Sequence, residues 1–317
     1  MNKMALPITS LRTAWARLFL TTKDVGIVTF ATLALLVTLA WGWLQMGSSI
    51  FVLMVPVTVG FLLAIHLSIF RKILEHQQRT TAAEVHNNYR QIESALSLFS
   101  SLRISYPLPP LRGWAISPDF GVLLASVILQ KQPRTILELG SGTSTVVLGY
   151  CVRRMGRGRI VSLEHDEHFA EESRRNIANH QLEEVVTLVH APLRTVYLDQ
   201  SEFAWYDISK LPAMDAIDLL VIDGPPGPPG VLSRYPALPM LQRFLSNEAV
   251  IIFDDGQRSA EQDTVRRWLT QFPFLEAKYV ELEKGALVLA RSSVRIPPLG
   301  LNFPAEKDRS TSNPEAA

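Results

Sequence analysis

The segment Thr135-Ile-Leu-Glu-Leu-Gly-Ser-Gly-Thr-Ser-Thr145 constrains the fold of this chain more than any other. A β-branched and apolar run carries an acid near its end, a turn spaced by Gly140 and Gly142 follows, and a helix-like segment comes next. In a parallel sheet this arrangement brings backbone N–H groups close to a polar or anionic ligand at the start of a helix. Glycine suits both turn positions because it turns tightly and allows close backbone approach. The dinucleotide fingerprint G-x-G-x-x-G is incomplete, since Thr145 holds its last position. That argues against a nicotinamide-dependent oxidoreductase.

The rest of the chain supplies the partners such a turn needs. Strand-like segments at Thr135–Leu139, Arg159–Glu164, 185–190, 217–223 and 249–254 alternate with helical ones, most clearly 168–180 and Ser259–Gln271. Two further segments, 278–282 and Ala286–Arg291, flank Glu283-Lys-Gly285 and read as a closing antiparallel hairpin. The pattern predicts an α/β, doubly wound Rossmann-like sheet with one reversed strand. A Pro-, Ser-, Asn- and charge-rich tail over 297–317 is expected to be disordered.

The N-terminal part has a different character. Residues 25–44 carry no charge, and 50–70 carry none beyond a protonatable His66. Each run is about 20 residues long, enough to cross a bilayer core as a helix. A signal peptide has a shorter apolar region, and here a second run follows at once. Lys3, Arg12, Arg17 and Lys23 precede the pair, and Arg71, Lys72 and Arg79 follow it. The positive-inside rule then places both termini and the catalytic part in the cytoplasm. Five segments result: 1–24 cytoplasmic, 25–70 a transmembrane hairpin, 71–103 a linking amphipathic helix, 104–296 the catalytic domain, and 297–317 the tail. In the linking helix Val85, Tyr89, Ile92, Leu96 and Phe99 form one apolar stripe. Packing on the catalytic domain is the favoured use of it; a homodimer through residues 82–102 is the other. A net charge of +1 gives no reason to expect a nucleic-acid partner, and a single cysteine, Cys151, excludes a disulfide framework.

Ligands of such sheets bind at the carboxyl ends of the strands, and the polar residues fall there. Glu138, Gly140, Ser141 and Gly142 form the first turn. Glu164 ends the second strand, where a carboxylate can accept both hydroxyl hydrogens of a ribose. His165 beside it can flank an adenine, and Ala191 after the third strand can wall an adenine slot. Asp223 ends the fourth strand in Asp-Gly-Pro-Pro-Gly227, and Asp254 and Asp255 end the fifth. Three clustered carboxylates repel unless a cation or protons intervene, and oxygen ligands suit Mg²⁺ or Ca²⁺. The alternative is that Asp223 faces substrate while Asp255 caps the following helix. Arg234 and Tyr235, after the proline-rich loop, either meet substrate or serve the loop alone.

Taken together, Glu138-Leu-Gly-Ser-Gly142, Glu164 and Asp223 resemble the cofactor motifs of class I S-adenosylmethionine-dependent methyltransferases, over about residues 114–291. The resemblance implies that Gly140 and Gly142 lie against the methionine part of the cofactor and that Glu164 holds its ribose. The metal-dependent O-methyltransferases are the most similar subgroup. That likeness implies Mg²⁺ on Asp223, Asp254 and Asp255, with Asp223 also the catalytic base. Pro226 stands where the catechol-type enzymes carry a lysine base. The acceptor implied is a small or lipid-linked molecule, delivered near the membrane held by residues 25–70. Other readings are an aminopropyl transferase on the same fold and a non-catalytic membrane-tethered scaffold.

Overall fold

Among the residues described by the computed structural model (34, 37, 38, 41, 42, 44, 45, 48–228 and 231–296), nine strands form a seven-stranded sheet and a separate pair. The strands are β1 (Thr135–Leu139), β2 (Arg159–Glu164), β3 (Val186–His190), β4 (Leu193–Leu198), β5 (Ser201–Tyr206), β6 (Ile217–Ile222), β7 (Leu245–Asp254), β8 (Leu275–Val280) and β9 (Ala286–Arg291). The helices are α1 (Ser48–Leu102), α2 (Pro118–Lys131), α3 (Thr143–Met155), α4 (Glu167–Asn179), α5 (Ala237–Leu241) and α6 (Ser259–Gln271).

The sheet order is β3-β2-β1-β6-β7-β9-β8, with β4 and β5 paired to each other outside it. The pairs β1–β2, β1–β6, β2–β3 and β6–β7 are parallel, whereas β9 runs against both of its neighbours. It is the one reversed strand the sequence predicts. The order reverses between β1 and β6, so a ligand crevice opens above the carboxyl ends of those strands.

Both faces of the sheet are covered, which is why its strands read as near-continuous apolar runs. Ile136, Leu219, Val221, Val250 and Ile252 enter one core with α2, α3 and the end of α1. Their neighbours Leu137, Leu220, Ile222, Ile251 and Phe253 enter the other, with the β4–β5 hairpin, α5 and α6. This period of two follows from the alternating direction of side chains along a strand. The β4–β5 hairpin and α2 are absent from the sequence reading. Both strands of the hairpin are largely exposed and lack the apolar density of the central strands.

The chain divides into two compact units, Met1–His86 and Asn87–Ala317. The first holds most of α1, which is, by length and composition and among the described residues, a helix apolar enough to cross a membrane. Val57, Val59, Phe61, Leu63, Leu67 and Phe70 on it are exposed, as lipid-facing residues would be. Residues 50–70 and 71–102 belong to this single helix, without a break at Arg71. The earlier apolar run, 25–44, lies mostly outside the described residues, and the N-terminal segment 1–24 and the tail 297–317 lie wholly outside them.

Within the second unit the end of α1 corrects the expected packing. Tyr89, Ile92, Leu96 and Phe99 of the apolar stripe are exposed, while Gln91, Ser94, Leu98 and Leu102 are buried. The reason is Asp119, which is fully buried. Gln91 Nε2 donates to Asp119 Oδ2 at 2.8 Å, and Asp119 N donates back to Gln91 Oε1 at 3.2 Å. Ser117 Oγ and the N–H of Glu283 also donate to this carboxylate, and Arg90 lies 3.4 Å away. A buried carboxylate must be paired, and that requirement outranks the burial of four exposed apolar side chains.

Candidate active site

The carboxyl edge of the sheet is tied together by backbone hydrogen bonds. Gly140 N donates to Leu163 O, and Asp223 N and Gly224 N both donate to Leu139 O. Gly140 has φ +92°, and a Cβ there would lie 3.1 Å from Gly224 N. A Cβ at Gly224 would meet Tyr206 Oη and lie 3.2 Å from Gly140 Cα. Glycine at both positions lets the turns after β1 and β6 touch, and this contact marks the switch point.

Two acids serve the β1–β2 half. Glu138 is fully buried, and its Oε2 accepts hydroxyl hydrogens from Thr145 and Ser162, each at 2.6 Å. Its Oε1 is buried with no hydrogen-bond partner among the described residues. Burial pushes this carboxyl up to about 7, and the hydroxyl hydrogen bonds only partly oppose the rise. Glu164, also buried, is held by backbone instead. Its Oε1 accepts from His165 N at 2.8 Å and Asp166 N at 3.0 Å, and its Oε2 from Ser141 N at 3.0 Å. Burial alone would raise it, but these N–H groups and His165, whose Nδ1 lies 2.8 Å from Oε1, carry it below its ordinary value. Glu164 is therefore a fixed anion, and Glu138 a carboxyl poised near neutrality.

A cleft of about 350 Å³ opens here, with Ser141, Gly142, Thr143, Ser144 and Asp223 in its lining. The first turn of α3 forms part of that wall, and such a helix end carries unpaired N–H groups and partial positive charge. Phe169 and Ser173 of α4 and the exposed Trp114 complete the lining used below. Ser173 Oγ is 2.8 Å from Ser141 Oγ, which anchors the turn to α4. The sequence reading omits these three residues. Phe169 and Ser173 belong to an amphipathic helix whose outer face looks like ordinary surface.

The β6–β7 half is built differently. Ile222 pairs with Phe253, so Asp223 and Asp254, each one residue further on, end adjacent strands. Between the acids lies Arg234, only 3 % exposed. Its Nη2 is 3.0 Å from Asp255 Oδ2 and 3.4 Å from Asp223 Oδ1, and its Nη1 is 3.7 Å from Glu261 Oε1. Nη1 also donates to the backbone carbonyl of Asp254 at 3.3 Å. Arg258 Nη1 reaches Asp255 Oδ2 from outside, at 2.9 Å. Burial raises Asp223 to about 6, with Arg234 pulling against it and Asp255 adding to it. Burial and the two neighbouring acids push Asp254 well up. The guanidinium is held more firmly protonated than usual, because the four acids outweigh its own desolvation.

The expected Mg²⁺ site carries a charge of the chain's own. A cation already stands among Asp223, Asp254 and Asp255, and it belongs to the chain. Asp255 Oδ2 is taken by two arginines, and Asp254 Oδ1 accepts the N–H of Asp255 at 2.7 Å. Among the described residues no group of three His, Cys, Asp or Glu side chains is arranged to hold a metal. Asp254 Oδ2 is buried without a hydrogen-bond partner among the described residues. Arg234 thus serves the acids rather than a substrate.

The remaining predicted residues fall as follows. Glu138, Gly140, Ser141, Gly142, Glu164 and His165 are brought together at the β1–β2 end, and Asp223 borders the same cleft. Ala191 is fully buried in the core with Trp205 and Tyr206, and its N–H donates to Glu164 O at 2.7 Å. It supports Glu164 through backbone. Tyr206, also missed, is buried beneath Gly224, with its ring edge-on to His165 at 6.0 Å between centroids.

Residues 137–256, from β1 to the turn after β7, match the family model described as a methyltransferase domain. No curated protein matches the chain. Among solved structures, the O-methyltransferase TomG from Streptomyces achromogenes, in complex with SAM, aligns at 17 % identity and TM-score 0.45, covering 63 % of this chain and 88 % of that one. The O-methyltransferase from Bacillus cereus, in complex with SAH, aligns at 20 % identity and TM-score 0.42, covering 64 % and 90 %. The Podospora anserina methyltransferase PaMTH1, bound to SAH, aligns at 16 % identity and TM-score 0.46, covering 67 % and 95 %. Likeness at this level says nothing of substrate.

Proposed function

We infer that this chain, an enzyme carrying a methyltransferase domain, uses S-adenosylmethionine to methylate an oxygen of a small or membrane-associated acceptor. The single observation that supports the reading best is Glu164, an ionised carboxylate fixed by three backbone N–H groups at the end of β2, next to the glycine turn.

The cofactor's parts fit distinct groups of this chain. Glu164 suits the paired ribose hydroxyls, since an anionic acceptor forms strong hydrogen bonds to both. The unpartnered Oε1 of Glu138 suits an ammonium group, which would also favour the ionised form of a carboxyl held near 7. The N-terminus of α3 suits a carboxylate. Bound there, S-adenosylmethionine supplies a methyl group already activated by a positively charged sulfur.

The chain's remaining task is to position an acceptor oxygen and take its proton. Asp223 borders the cleft and, held near 6, is largely ionised at neutral pH. It is the proposed base. Trp114 and Pro110 offer apolar wall on the acceptor side of the cleft. The apolar part of α1 supports a membrane anchor, and the flanking charges Arg71, Lys72 and Arg79 favour a cytoplasmic catalytic domain.

The test uses the full-length protein in detergent, radiolabelled methyl donor, and separated aqueous and lipid extracts of membranes. Wild-type protein should transfer label to an acceptor in one of the two extracts, and the lipid extract would mark it as membrane-associated. Glu164→Ala should transfer none, and Asp223→Asn should be slowed by about 10²–10⁴-fold if it is the base. Full-rate labelling by Asp223→Asn would refute its role as the base, and label in neither extract would refute the methyltransferase reading.

A further inference from the structure

We propose that Arg234 is the resident cation of this site, doing for Asp223, Asp255 and Glu261 what a divalent metal ion would otherwise have to do. The inference deepens the functional reading above, and its catalytic meaning rests on that reading.

Four carboxyl groups, those of Asp223, Asp254, Asp255 and Glu261, gather at one end of the sheet, and the last three are buried. Such a group of acids is unstable without compensating charge. The buried part of the compensation comes from Arg234, between β6 and α5, while Arg258 pairs with Asp255 from outside. Arg234 Nη2 reaches two of the acids and Nη1 faces a third, and the aromatic face of Phe253 lies 5.8 Å from its guanidinium carbon. At 3 % exposure the guanidinium does not touch a substrate, so Arg234 is a positioning residue. It fixes Asp223 at the border of the cleft by holding one oxygen, Oδ1, at 3.4 Å.

Two consequences follow for the reaction. The acceptor need not present two adjacent oxygens for chelation, because no metal mediates between Asp223 and the acceptor; a single hydroxyl suffices. Ser233 and Arg234 also become part of the machinery, because Arg234 delivers the cation. Ser233 Oγ donates to Pro225 O at 3.2 Å.

The test is Mn²⁺ binding by electron paramagnetic resonance, on the full-length protein in detergent, for wild type, Arg234→Lys and Arg234→Ala. Wild type and Arg234→Lys should leave added Mn²⁺ free. Arg234→Ala should take up one Mn²⁺ per chain, because removing the guanidinium leaves a cation-sized gap among the acids. Stoichiometric Mn²⁺ on wild type, lost in Asp255→Asn, would overturn the proposal, and so would a folded Arg234→Ala that takes up none. The wild-type arm decides the matter even if Arg234→Ala fails to fold. S-adenosylmethionine titration of the same samples separates the two readings, since a failure to bind cofactor would leave the Mn²⁺ result intact.

Discussion

The two halves of the sheet's carboxyl edge solve the same electrostatic problem in opposite ways. At the ends of β1 and β2, Glu138 and Glu164 are held by neutral donors: two hydroxyl groups for one, three backbone N–H groups for the other. At the ends of β6 and β7, Asp223 and Asp255 are held by the buried cation Arg234. Neutral donors fix a carboxylate without cancelling its charge, so the first half still has charge to offer a ligand. Internal cations offset part of it, and only Asp223 borders the cleft, while Asp254 Oδ2 and Glu261 Oε2 stay buried without a hydrogen-bond partner among the described residues. The difference teaches that an acid at a strand end is a ligand site only when its neutralising partner is missing from the chain.

The largest test of this contrast is Arg234→Ala. Removing one partner of a buried ion pair strands the others, at a cost of about 3–5 kcal/mol. Thermal unfolding in detergent should show a drop of that order, and a drop below about 1 kcal/mol would mean that the acids are not held by this arginine.

Next in size is the pH dependence set by Glu138. Its folded value near 7 lies above the ordinary 4.5, so between these values the folded state holds a proton that the unfolded chain has released. Stability therefore falls as pH rises through that window, by about 3 kcal/mol in all. Asp223, raised to about 6, acts in the same direction. Melts of Glu138→Gln from pH 4.5 to 8 should show a distinctly shallower decline than wild type. An unchanged slope would show that Glu138 does not keep its proton through this window.

Much of the first half is legible in the sequence because it is local. A β-branched run, an acid and a glycine turn occupy consecutive residues, and β1 and β2 lie where the pattern puts them. The second half is legible only in its acids. Arg234 sits eleven positions after Asp223 in a proline-rich segment, and nothing in sequence spacing reveals that its side chain reaches the β7 end. The same limit explains α1. Periodicity locates an apolar stripe but not which face the domain needs, and the buried carboxyl of Asp119 draws Gln91 inward instead.

The junction of the two halves gives a smaller effect. In Gly224→Ala the new Cβ would press on Tyr206 Oη and the backbone at Gly140, costing about 1–3 kcal/mol by overpacking. Since that contact joins the halves, the variant should also weaken cofactor binding; unchanged binding would mean that the halves act independently. The smallest effect belongs to the outer face of α1. Leu96→Ser, on an exposed position, should change domain stability by under about 0.5 kcal/mol, whereas Leu98→Ala, in the core, should cost about 2–5 kcal/mol. Comparable losses from the two would show that the stripe is buried after all.

The most direct measurement is calorimetric titration of the full-length protein with S-adenosylmethionine, for wild type and Glu164→Ala, with folding of both checked by circular dichroism. The account predicts saturable binding by wild type and a loss of at least about 100-fold in the variant, the worth of two hydrogen bonds to a charged group. Absence of binding by folded wild-type protein, or equal binding by Glu164→Ala, would contradict it.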